Sequence, residues 1–159
     1  MNLQEHTYST SVHWTGNLGS GTSGYRAYSR DHDIQVPGPG YLAGTADPTF
    51  RGSPERWNPE QLLLTAVAQC HLLSYLHVAV RAGVVVTGYR DSATGTLHLN
   101  PDGSGEFTGI LLRPRVELAD ESQRQLADSL HAEANRLCFI ARSLDVPVHH
   151  EPAHPETAP

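Results

Sequence analysis

The chain has 159 residues, a formal charge of −6 and eleven basic residues, every one of them arginine. The arginines are scattered, so no basic stripe exists to follow a phosphate backbone, and nucleic acid and anionic membrane surfaces are excluded as partners. This is one domain's worth of chain, long enough to bury a core without staples.

Tyr8 to Trp14 alternates as a strand does, and Gly16 to Gly24 is a turn region rich in glycine and serine. Tyr25 to Val36 carries Tyr25, Tyr28, Ile34 and Val36 with charged residues between them, which predicts one or two antiparallel strands. Pro37 to Pro54 reads as loop. Asn58-Pro59-Glu60 predicts a helix start: Asn caps, Pro suits the first helical position, and Glu suits the dipole. That helix should end near Arg81, with Gly83 beyond it. Strands are expected over Val84 to Tyr89, Thr96 to Leu99 and Phe107 to Leu118, with hairpin turns at Asp91 to Gly95 and Pro101 to Gly105. A second helix, capped by Asp120, should reach Cys138, and Val146 to His149 reads as a short last strand. The expected architecture is α+β, helices on antiparallel sheet, as a single domain over 1–150. The tail 151–159, EPAHPETAP, is too polar and proline-rich to pack and reads as disordered.

The start MNLQEHTYST lacks a basic n-region and an apolar h-region, so no signal peptide is expected. Gln69, His71, Ser74, Tyr75 and His77 interrupt the apolar stretch from Leu62 to Val80, which argues against a membrane span. Two thiols in an unexported chain stay reduced unless they are redox-active, and the cytoplasm is the expected compartment.

Several chemistries compete. GxGxxG occurs at Gly19, Gly21 and Gly24, but no helix follows it to receive a pyrophosphate, so a hairpin loop is the better reading. Among the ten histidines and two cysteines, Cys70–His77 and His131–Cys138 are each seven apart. Seven residues of helix rise about 10 Å, too far for one ion, so no metal is expected. Cys70 and Cys138 fall on separate helices outside any CxxC spacing. They read either as a reactive thiol with a resolving partner or as two small apolar side chains in helix interfaces. His71 points about 100° away from the thiol it follows and cannot be its direct base. His131 could approach from the second helix, which keeps a cysteine acyl hydrolase open. Cys70 shares an apolar face with Leu63, Ala66, Leu73 and His77, so a reactive Cys70 needs an imported cation. Arg26, Arg30, Arg51 and Arg56 precede the helix, and Glu60 can orient one of them by a bidentate contact.

The run ADPTFRGSPERWNPEQLL…AVAQC, the glycine-bearing hairpins and LH…LCFIARS together resemble the OsmC/Ohr family of cysteine-based hydroperoxide reductases, over roughly Tyr8 to His149. His71 after the first cysteine and CFIARS around the second mark a side branch. The resemblance implies an intertwined homodimer with two central helices wrapped by sheets and active sites at the subunit interface. It implies that Cys70 attacks an organic hydroperoxide, that Cys138 closes a disulfide, and that an arginine held by Glu60 activates the thiol. Arg51, in the FRG segment, is assigned that role, with Arg26 and Arg30 in reserve. It further implies a dithiol reductant of lipoyl type, no cofactor and a place in the oxidative stress response. The alternative on the same fold is a non-enzymatic thiol redox switch or small-ligand binder.

Overall fold

The computed structural model describes residues 4–154. The chain falls into two compact units that divide between Leu62 and Leu63.

In the first unit, β1 (Ser11–Trp14), β2 (His32–Val36) and β3 (Gly40–Gly44) form an antiparallel sheet in that order, with Trp14 opposite His32 and His32 opposite Gly44. The third strand lies where loop was expected. Gly38 and Gly40 both take φ 96, a tight turn that proline and glycine supply, and the five residues after it are too few to announce a strand by alternation. Tyr25 to Arg30 belongs to no strand; it is a turn tied by Ala27 N donating to Gly24 O (2.9 Å) and Ser29 N donating to Gly16 O (2.9 Å). Gly16 is obligatory there, because a Cβ would run into the Ser29 carbonyl.

Helix α1 (Pro59–Arg81) starts and stops on the expected signals. Asn58 Oδ1 accepts from Gln61 N (2.8 Å) and Asn58 N donates to Gln61 Oε1 (3.2 Å), a reciprocal capping box. At the other end Gly83 takes φ 71, and Val84 N reaches Ala79 O (2.9 Å). By length and mean hydropathy (1.5) α1 would suffice to cross a membrane, a test that core helices also pass. Its Val67, His71, Tyr75, Val78 and Ala79 are buried.

In the second unit follow β4 (Val86–Asp91), β5 (Thr94–Leu99), β6 (Gly105–Leu112), β7 (Pro114–Leu118), α2 (Arg124–Leu137), α3 (Phe139–Arg142) and β8 (Val148–His150). The pairing differs from consecutive hairpins. β4 pairs with β7 and β5 with β6, so Ser92-Ala93 is a crossing between two sheets, while β8 adds to β6 in parallel. The expected strand from Phe107 to Leu118 is two strands broken at Arg113, where Pro114 follows with no N–H to continue a ladder. Asp120 does cap, accepting from Ser122 N (2.9 Å), but it caps a 3-10 turn (Glu121–Gln123) that leads into α2. Two clusters form the core: Tyr75, Ala79, Val84, Val116, Ala127 and Ala134 between the helices and β7, and Val67, Ile110 and Leu112 under β6.

The tail departs from expectation up to His154. Glu151 N donates to Leu112 O and Ala153 N to Pro114 O, both at 2.9 Å, which carries the β8 pairing onward with Pro152 and Ala153 half-buried. The rest of the expected disordered tail lies outside the described residues. The α+β architecture with mainly antiparallel sheets is the one the sequence reading anticipates.

Candidate functional site

In the second unit three contacts tie α1 to α2. The Cys70 thiol lies against that of Cys138, His71 Nε2 lies 3.0 Å from His131 Nδ1, and the Tyr75 hydroxyl donates to Ala127 O at 3.0 Å. Partner numbers fall as α1 numbers rise, so the helices run antiparallel, and the fully buried Ala127 and Ala134 let them approach closely.

The two thiols are free and unequal. Cys70 is half-buried; Cys138 is fully buried at the junction of α2 and α3, where its Sγ accepts from Ala141 N (3.5 Å). Burial, and then the Cys70 thiol against it, push Cys138 up to about 11, partly offset by the Ala141 and Ile140 amides. At neutral pH Cys138 is therefore a protonated thiol beside a more accessible one. That arrangement can close a disulfide once the accessible sulfur has been made electrophilic.

The sequence gives no pairing between His71 and His131, and the structure supplies one. His71 and His131 are fully buried, with ring planes 9° from parallel and centroids 5.3 Å apart. Given the 3.0 Å N–N contact, the rings meet edge to edge in one line. His150 stands 5.9 Å from both, and Tyr75 stacks on His131 at 4.2 Å. Burial, then His150, lowers His71 to about 4; burial, then His71 and His150, lowers His131 to about 3. The spacing of the two residues, sixty apart on different helices, gave no local signal for this pairing. With Nδ1 engaged and so low a pKa, His131 is a poor base, which leaves the acyl-hydrolase reading without its second member. Among the described residues no group of three or more His, Cys, Asp or Glu has the arrangement to hold a metal ion.

The first unit holds the other sequence-assigned residues. Glu60, in the first turn of α1, lines a cavity of about 430 Å³ together with Arg30, Trp14, Tyr28, His32 and Phe50. Glu60 Oε2 and Arg30 Nη2 are both buried without a hydrogen-bond partner. Arg30 Nη1 donates to Tyr28 O (2.9 Å), and its Cζ lies 4.4 Å and 4.1 Å from the ring centroids of Tyr25 and Tyr28. Arg51 is exposed at the left-handed end (φ 69) of the Pro48–Phe50 turn, and Arg26 is exposed as well. Of the three arginines considered, Arg30 is the one that shares a cavity with Glu60.

The family model for OsmC-like protein matches residues 52–152. The chain belongs to the OsmC-like family. Among solved structures this OsmC-like chain is similar to an OsmC-like protein of unknown function from Vibrio cholerae (28% identity, 94% of this chain and 100% of that one, TM-score 0.82). It shares its fold with the organic hydroperoxide resistance protein OhrB of Bacillus subtilis (19% identity, 93% and 98% covered, TM-score 0.67). An organic hydroperoxide resistance protein OsmC from Legionella pneumophila has the same fold (18%, 93% and 97%, TM-score 0.69). Among curated proteins it is similar to the uncharacterized protein YmaD of Bacillus subtilis (24% identity over 148 residues, 89% of each chain).

Proposed function

We propose that this OsmC-like protein is a cysteine-based peroxidase for organic hydroperoxides. The observation that carries the reading is the thiol pair: a half-buried Cys70 beside a fully buried, protonated Cys138. The Cys70 thiolate attacks the hydroxyl-bearing oxygen of ROOH. The O–O bond breaks, the alkoxide takes up a proton to leave as ROH, and sulfur is oxidised to Cys70–SOH. Cys138 sulfur then displaces the hydroxyl as water and forms the Cys70–Cys138 disulfide. An external dithiol, of lipoyl type, reduces it by exchange and is itself oxidised to its disulfide. For the arginine that Glu60 orients by family resemblance, Arg30 is chosen in preference to Arg51. Arg30 keeps a buried, unpartnered Nη2 in the Glu60 cavity, whereas Arg51 is an exposed turn residue.

The working form is a homodimer in the cytoplasm. Leu73, Leu76 and Val80 line one face of α1, and Leu73 and Val80 are 64% and 78% exposed, an apolar stripe that a second subunit would cover. The test is steady-state consumption of cumene hydroperoxide with dihydrolipoamide as reductant. Many turnovers by the wild-type chain, none by Cys70→Ser and a single trapped sulfenic acid in Cys138→Ser are expected. One stoichiometric oxidation of the wild type with no turnover would replace the enzyme with the thiol switch.

A further inference from the structure

The segment Tyr25-Arg-Ala-Tyr-Ser-Arg30 puts a guanidinium against two aromatic rings. Its Cζ is 4.4 Å from the Tyr25 centroid and 4.1 Å from that of Tyr28. A ring face orients a guanidinium through its quadrupole, apart from what any carboxylate of the cavity does. The backbone is arranged to hold this seat. The Trp14 indole N–H donates to Ser29 O (2.9 Å), Arg30 Nη1 donates to Tyr28 O (2.9 Å), and His32 Nδ1–H donates to Arg30 O (2.9 Å). Arg30 Nη2 remains buried and unpartnered in the cavity that also holds an unpartnered Glu60 Oε2.

We infer that Tyr25 and Tyr28 are positioning residues for Arg30, an aromatic seat that holds its guanidinium in the cavity that Glu60 lines. The inference rests on the peroxidase reading for the use made of that guanidinium. The seat acts through the ring faces, since the Tyr25 and Tyr28 hydroxyls take no part in the Arg30 contacts. Leucine should therefore abolish it and phenylalanine should preserve it.

The experiment compares Tyr25→Leu, Tyr28→Leu and the two Phe variants in the full chain. Peroxide kcat/KM is measured against pH, and the Arg30 Nε–H resonance is followed by NMR. Tyr25 is 61% exposed, so Tyr25→Leu keeps the fold even where Tyr28→Leu does not. Each Leu variant should lower kcat/KM by about tenfold and move the acidic limb of the pH profile to higher pH, while each Phe variant stays near wild type. The Arg30 resonance should lose its ring-current shift in the Leu variants and keep it in the Phe variants. Leu variants that match wild type in both readouts, or Phe variants as impaired as Leu, would overturn the seat. A wild-type chain without turnover sinks the peroxidase reading instead, and the Arg30 resonance then decides the seat alone.

Discussion

Cys70 and His71 are adjacent on α1 and meet α2 partners seven residues apart, yet the two contacts have opposite character. The thiol contact leaves one member half-exposed and buries the other; the histidine contact buries both. An accessible group with a buried partner can react and then be resolved. Two buried bases with one shared proton between them can only hold the helices together and remain uncharged. Unequal burial is what separates the two contacts, since both tie the same stretch of α1 to the α2 side of the interface.

Acid should break the histidine contact with the largest effect. The folded pKa values of His71 and His131, about 4 and about 3, lie below the ordinary histidine value of 6.5, so the unfolded chain binds more protons over that interval. Stability is full above pH 6.5 and falls as pH drops toward 4, by about 1.4 kcal/mol per pH unit for each histidine. His150, lowered as well, adds in the same direction. Urea unfolding midpoints measured from pH 7 to pH 4 should fall steeply, and a flat profile would show that the buried pair is not neutral in the fold.

The thiol contact is sharpened by alkylation. With its pKa pushed up to about 11, Cys138 is thiolate to about one part in ten thousand at pH 7. An ordinary free thiol is ionised to a few per cent. In Cys70→Ser the dominant cause, burial, persists, so Cys138 should react with iodoacetamide at least about a hundredfold more slowly than a free thiol. Rates equal to a free thiol would mean that Cys138 is open to solvent and that the asymmetry is absent.

Removing one histidine should cost more than removing two. His131→Leu leaves His71 with a second buried ring nitrogen unsatisfied, because its Nδ1 already has no partner. A loss of roughly 2 kcal/mol is expected, whereas His71→Leu/His131→Leu should recover most of it. The double variant should also flatten the acid profile. Additive losses would show that the hydrogen bond between the rings contributes nothing.

How much of this was legible beforehand follows from range in sequence. The α1 boundaries were readable because Asn58, Gln61 and Gly83 act within one turn of the ends they define. β3 and the break at Pro114 were not, since five-residue strands carry too little alternation to be told from loop. The β4–β7 pairing is a crossing that no turn chemistry at Asp91 to Gly95 specifies. Cys70, Cys138 and Glu60 were legible as candidates from residue type and helix placement, and the resemblance supplied the role expected of each. That Arg30 and not Arg51 shares the Glu60 cavity depends on the turn from Gly24 to Ser29, whose course rests on contacts with Gly16 and Trp14 far back in the chain. The histidine pair needed the antiparallel docking of two helices and left no local trace.

The smallest effect tests whether the interface beyond the two pairs is ordinary core. Tyr75 is fully buried, stacks on His131 and donates its hydroxyl to Ala127 O at 3.0 Å. Burial first, then the charge of Asp128, push its pKa up to about 12, so it stays a neutral donor across the range in which the chain folds. Tyr75→Phe keeps the ring and its stacking and removes one hydrogen bond. A carbonyl within a helix has a second lone pair for its own backbone partner and is not orphaned by this change. The expected loss is about 1 kcal/mol, with the acid profile unaltered because His71 and His131 keep their burial. Denaturant midpoints at pH 7 and pH 5 should shift by the same small amount. A loss that grows on acidification would show instead that the Tyr75 hydroxyl helps to keep the histidine pair uncharged.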